Sequence, residues 1–165
     1  MGHIVIRKGG TEDMDAILLV YEKARKYMRE CGNLTQWTDG YPAQEDVARD
    51  IDAGNCYVGV DMDGEIVMCF AFIIGDDPTY SVIYDGGWMN DLPYGTIHRM
   101  GSSGKHGGML EECVKYCFNM IDNIRIDTHE DNTPMLKAIA RLNFTRCGTI
   151  LCRDGTPRIA FQKMI

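Results

Sequence analysis

Four glycines crowd the stretch His98–Leu110, HRMGSSGKHGGML, between a strand-like run and a run with helical spacing. Where a strand turns through glycines into a helix, several backbone N–H groups lack intrahelical partners. The helix dipole adds partial positive charge there, so the place suits a phosphate. A glycine lets the backbone come close to phosphate oxygens, and Lys105 could add a point charge. The same residues also read as a plain turn and helix start, and both readings stand at this point. Neither familiar phosphate signature is present. G-x-x-x-x-G-K-[ST] fails because His106 follows Lys105 and Arg99 stands five before Gly104. G-x-G-x-x-G fails because Gly101, Gly104, Gly107 and Gly108 are wrongly spaced.

Histidine is the side chain that exchanges a proton near neutral pH, so His98, on the strand before the glycines, is a candidate general base. Its plain reading is a half-buried strand histidine bonded to its neighbours. His106 lies in the loop, facing a phosphate or water, and His129 ends a later strand as a turn residue. Trp37, Tyr41, Trp88 and Tyr94 fall in or beside loops, where aromatics line pockets or pack beneath their own segments. Asp39 and Asp85 stand near them and could pair with a substrate amine.

The chain has 165 residues, 45% of them hydrophobic and 25% charged, which suits one ordinary globular domain. A net charge of −7 without a lysine–arginine cluster argues against nucleic acid. No apolar run reaches the length of a membrane span. The opening MGHIVIRKGG lacks the pattern of a secretory leader, so the expected address is cytoplasmic. Met1-Gly2 is a poor myristoylation start, because Ile6 stands where Ser or Thr is wanted. Seven cysteines without a C-x-x-C pair read as free, core-packed thiols rather than a metal or disulfide framework. Cys113 and Cys117 share one helix face, but with Leu110, Val114 and Ile121.

These residues need a frame. HIVIRK alternates as a strand, and Thr11 is expected to cap a helix carrying Met14, Ile17, Leu18, Tyr21, Ala24 and Met28 on one side. AQEDVARDIDAG reads as a shorter helix. Two β-rich runs around Asp63-Gly64 form a hairpin, and a polar, aromatic connection runs from Gly75 to Leu92. PYGTIHRM is a strand leading into the glycines and their helix, and NIRIDTH is another. Thr133 is expected to cap the next helix with Pro134 at its start, and a hairpin through Asp154-Gly155 ends the chain. The order β-α-α-β-β-β-α-β-α-β-β belongs to an α/β (α+β) fold built around one sheet.

In that order the chain resembles the GNAT superfamily of N-acetyltransferases over essentially its whole length. TIHRM running into GSSGKHGGML looks like the family's acetyl-CoA segment. IDTHEDNTPM is similar to the strand-to-helix stretch bearing an asparagine near the cofactor. LNFTRCGTI looks like the family's ending, and QWTDGYP resembles an acceptor-side loop of one bacterial branch. The resemblance implies a mixed central sheet of about seven strands with helices on both faces, residues 1–165 forming one acyl-CoA N-acyltransferase-like domain. It implies acetyl-CoA as acyl donor, its pantetheine arm lying between two splayed parallel strands along the backbone of Met100 and Gly101. The pyrophosphate would rest on backbone N–H groups of Lys105, His106, Gly107, Gly108, Met109 and Leu110, with Asn132 helping to hold the cofactor. The acceptor would be a small-molecule or peptide amine, attacking directly, in a pocket shaped by Trp37, Asp39, Tyr41, Asp85 and Trp88. His98 borders the reacting thioester in this picture and is the preferred base. The chain departs from the family pattern with Leu110 in place of a small residue and Ile139 in place of the tyrosine acid. Tyr94, water or no group then fills the acid's role. The resemblance leaves a homodimer open, and the departures motivate an alternative: a degenerate acyl-CoA-binding or protein-interaction domain without catalysis.

Overall fold

A computed structural model describes residues 3–165, so the Met1-Gly2 start lies outside it. Seven strands form one sheet in the order β1-β2-β3-β4-β5-β7-β6. They are β1 (Val5–Lys8), β2 (Cys56–Val60), β3 (Ile66–Ile74), β4 (Gly95–Ser102), β5 (Asn123–Thr128), β6 (Thr145–Leu151) and β7 (Pro157–Met164). The helices are α1 (Met14–Glu30), α2 (Gln44–Asp52), α3 (Met109–Cys117) and α4 (Thr133–Arg141). The mixed sheet with helices on both faces is the expected architecture.

Alternating and helical spacings sort the apolar residues into layers. Ile17, Val20 and Tyr21 of α1 and Val47 of α2 close over Cys56, Val58 and Cys69 on one face. On the other face Leu110, Cys113 and Val114 of α3 and Ile139 of α4 close over Phe70, Ile97, Ile124 and Ile126. Beside α1 and α2, the segment between β3 and β4 covers the rest of the first face through Tyr80, Tyr94, Ile150 and Ala160. Of the seven cysteines, five are buried and Cys31 and Cys152 half-buried, all as free thiols. Burial pushes the Cys56 thiol up to about 12. No helix among the described residues is long and apolar enough to cross a membrane.

Two helix starts differ from expectation. Thr11 opens a short 3-10 turn, Thr11–Asp13, ahead of α1. Asp13 is the organising residue there: it accepts the Gly10 N–H at 2.8 Å and forms a two-pronged ion pair with Arg7. Asn132, not Thr133, caps α4, its side-chain oxygen accepting the Met135 N–H. An asparagine oxygen in that position satisfies an end-of-helix donor while Pro134, lacking an N–H, loses nothing.

Among the described strands only β4 and β5 run parallel, joined by α3 as a parallel pair requires. Their pairing covers Gly95↔Ile124 and Thr96↔Arg125 and then stops. On its other edge β4 stays paired to β3 through Ser102, but with an extra residue: Cys69 faces Gly101 and Ala71 faces His98. Phe70 therefore opposes both Arg99 and Met100, and Arg99 sits at φ +48. This β-bulge resets the alternation, so Ile97 and Met100, three apart, point into the same core.

Candidate active site

Beyond Thr96 the two strands part, and the facing edges of Ile97–Ser102 and Ile126–Thr128 have no ladder partner across the gap. A cavity of about 220 Å³ opens there. Ala24 and Met28 of α1, Met100 and Gly101 of β4, Met109 of α3 and Met135 of α4 line it. At its outer end stands the start of α3. The backbone N–H groups of Gly107, Gly108, Met109, Leu110 and Glu111 find no hydrogen-bond partner among the described residues. Gly108 caps the helix at φ +74, a conformation glycine adopts without strain. Gly107 differs: its φ is ordinary and a side chain there would meet open space. Leu110 turns its side chain into the core and is 7% exposed, so the family's small residue is replaced without closing the N–H row.

The basic side chains of the loop are already engaged. Lys105 Nζ lies 2.9 Å from Asp61, 3.1 Å from Asp63 and 3.6 Å from Glu65, all on the β2–β3 turn. His106 Nε2 lies 3.0 Å from the same Asp61 oxygen as Lys105. With Lys105, His106 and the backbone N–H groups of Asp63 and Glu65 around it, the Asp61 carboxyl is held far below the usual carboxylate range. Asn132 borders the cavity while its amide donates to Gln36 Oε1 at 3.3 Å.

His98 follows the last β4–β5 pair by two residues, on the face covered by residues 75–93. Its Nε2 lies 2.8 Å from Asp77 Oδ2. Burial raises the Asp77 carboxyl, but His98 and Thr79 outweigh it and bring the group to about 2. An ionised carboxylate only accepts hydrogen bonds, so Nε2 carries the proton and a neutral His98 keeps its lone pair on Nδ1. Nδ1 has no partner among the described residues. Tyr80 packs beside the imidazole, its hydroxyl donating to the half-buried Asp127, whose carboxyl is pushed up by desolvation.

The structure does not bring Tyr94 to the gap. Its hydroxyl accepts the Asp77 N–H at 2.8 Å, and its ring lies 3.9 Å from the Arg125 guanidinium at the paired end of the strands. Trp88 covers the other side of Arg125 and donates to the Tyr80 carbonyl, so it packs its own segment onto the sheet. Asp85 is exposed near it, at φ +58. On the α1 side, Trp37 stands edge-on to Tyr21 and Tyr41, and Asp39 is exposed. The Tyr41 hydroxyl accepts from Arg99, whose guanidinium makes a two-pronged pair with Asp50 at 2.6 and 2.8 Å. Tyr21 donates to the Arg99 carbonyl at 2.7 Å. Sequence reading missed Asp77, Tyr80, Asp50 and Asp61. Asp77 had one local signal, an Asp before Pro at a helix start, but nothing tied it to a histidine 21 residues on.

A mixed sheet opened at its one parallel pair, with a row of free N–H groups at the mouth of the gap, is the frame of an acyl-group transferase. Similar solved structures agree. A GNAT-family acetyltransferase from Streptococcus agalactiae matches at 32% identity and TM-score 0.89, over 98% of this chain and 95% of that one. A GNAT-family acetyltransferase from Listeria monocytogenes matches at 17% identity and TM-score 0.72, over 98% and 95%. The ribosomal-protein-S5-alanine acetyltransferase of Vibrio fischeri shares the fold at 14% identity and TM-score 0.61, over 99% and 94%. No family model and no curated protein matches the sequence. The chain belongs to the GNAT family of acetyltransferases.

Proposed function

We propose that the protein transfers an acetyl group from acetyl-CoA directly to an amine, with His98 as the base. The observation that carries this reading is the opening between β4 and β5 close in the chain to His98, whose Nδ1 has no partner among the described residues. The chain fits the donor on three counts. The unpaired edge around Met100 and Gly101 offers N–H and C=O groups to an extended amide-bearing arm, as a strand edge takes up another strand. The cavity there is narrow and mostly apolar. The free N–H groups of residues 107–111 suit phosphate oxygens, and the bare Gly107 lets a ligand approach the backbone. Bound there, acetyl-CoA supplies an activated thioester carbonyl.

His98 Nδ1 accepts the proton of the attacking amine as the new C–N bond forms and the C–S bond breaks, and Asp77 holds the resulting imidazolium. By the sequence resemblance, Ile139, which is wholly buried, takes the place of the family's tyrosine. That position therefore offers no hydroxyl to protonate the departing sulfur, and water fills the role. The acceptor is a small-molecule or peptide amine, reached from the side of Trp37 and Tyr41.

Acetyl-CoA at 100 times its Kd should add about 2.7 kcal/mol of stability, a rise of roughly 5–10 °C in melting temperature for a chain of this size. No shift overturns the donor assignment. Thiol release across a panel of amines then reads transfer. A thermal shift without release favours the second reading, a non-catalytic acyl-CoA-binding domain, which the missing tyrosine supports.

A further inference from the structure

The narrow cavity in the gap continues into a second, outer hollow of about 530 Å³ between α1 and the β4–α3 loop. Tyr27, Ser102 and His106 border both. The two hollows differ in chemistry. Methionines and alanines dominate the inner one, whereas charged residues of α1 line the outer: Lys23, Lys26 and Glu30, two cations against one anion. Positions 23, 26, 27 and 30 follow the spacing of one helix face, and Ala24 and Met28, buried on the same helix, line the inner hollow.

The charges available to an anion at this mouth are unevenly distributed. Lys105 is surrounded by Asp61, Asp63 and Glu65, so its patch carries an excess of negative charge. Lys23 and Lys26 are exposed and make no ion pair with any described residue. An acyl-CoA ends in a diphosphate and a further phosphate, a polyanion that needs cations not already neutralised. We infer that Lys23 and Lys26 of α1, rather than the loop's Lys105, supply the counter-charge for the phosphate end of the donor. The inference rests on acetyl-CoA being the donor. It makes the apolar inner hollow the seat of the arm and the outer hollow the seat of the phosphates, with α1 reaching across from the acceptor side.

The test is calorimetric titration of coenzyme A into wild type and a K23Q/K26Q variant, at about 50 and about 300 mM salt. Both positions are exposed and glutamine is a good helix former, so the variant keeps its fold. The expected result is a Kd raised roughly tenfold at low salt, with the difference largely lost at high salt. A variant that binds as wild type does, with the same salt dependence, overturns the inference and leaves the donor assignment intact. A weakened variant whose salt dependence is unchanged also overturns it, because the lost contact is then not ionic. Absence of coenzyme A binding by wild type overturns both readings.

Discussion

At the scale of single residues, the proposed chemistry rests on His98 and the aspartate hydrogen-bonded to it. Asp77 is itself fixed from three sides, by the Thr79 N–H and hydroxyl and by the imidazole. The arrangement sets the tautomer, so the two residues have separable effects. His98→Ala should lower kcat/KM by on the order of 10² while leaving acetyl-CoA affinity unchanged, as steady-state kinetics and titration will show. Asp77→Asn should lower it by a smaller factor. The same carboxylate carries a pH signature. Its native-state pKa, about 2, lies below the unfolded value, so its stabilisation is complete above the ordinary aspartate range and fades as pH falls through about 2. That stabilisation is on the order of 2 kcal/mol. Acid unfolding followed by circular dichroism should show wild type losing its advantage over Asp77→Asn between about pH 4 and pH 2.

At the scale of elements, the bulge in β4 decides what the strand presents. Arg99 occupies a left-handed conformation that a non-glycine residue adopts only when its surroundings compel it. Tyr21 holds its carbonyl and Asp50 and Tyr41 hold its guanidinium, so α1, α2 and the Trp37 loop all meet at one residue. Asp50→Asn leaves a largely buried cation without its partner and should cost about 2–4 kcal/mol in chemical denaturation. It should also raise KM for the acceptor, because Tyr41 loses its anchor. The segment covering His98 is pinned at its far end, where Tyr84 and Thr149 exchange backbone hydrogen bonds at 2.8 Å. A side chain on Gly148 would come within 2.4 Å of the Tyr84 carbonyl oxygen. Gly148→Ala should break that bridge, cost on the order of 2 kcal/mol, and speed hydrogen exchange in residues 81–88.

At the scale of the whole molecule, the gap in the sheet is bridged rather than left open. Residues 33–37 leave α1, cross to the β5–α4 turn and bond there. Gln36 Oε1 accepts from Asn33 at 2.8 Å and from Asn132 at 3.3 Å, and Thr35 meets His129 at 3.1 Å. Arg29 fastens the crossing through the carbonyls of Asn33, Gln36 and Trp37. Asn33, Gln36 and Asn132 are all buried, so each amide depends on the others. Gln36→Leu leaves two buried amides unsatisfied and should lower the melting temperature by roughly 2–8 °C. It should also loosen α4 at the cap, read as faster exchange of the Met135 and Leu136 amides.

What the sequence determined by itself was local and periodic. Two-residue alternation placed the strands, three- and four-residue steps placed the helix faces of Ile17, Tyr21, Cys113 and Ile139, and the glycines between His98 and Leu110 marked the turn into α3. Those patterns are set within a few residues by backbone geometry and burial, so they survive without coordinates. The tertiary structure decided everything that depends on two distant segments meeting. It joined Asp77 to His98, Asp50 to Arg99 and Asp61 to Lys105, and it withdrew Tyr94 and Trp88 into a stack around Arg125. It also shifted the register of β4 by one residue at Arg99, which no alternation in GTIHRMGS announces. Charge pairing and strand register are properties of the assembled sheet. The hydrogen bonds that fix them connect residues tens of positions apart, and only the packed layers bring those positions together.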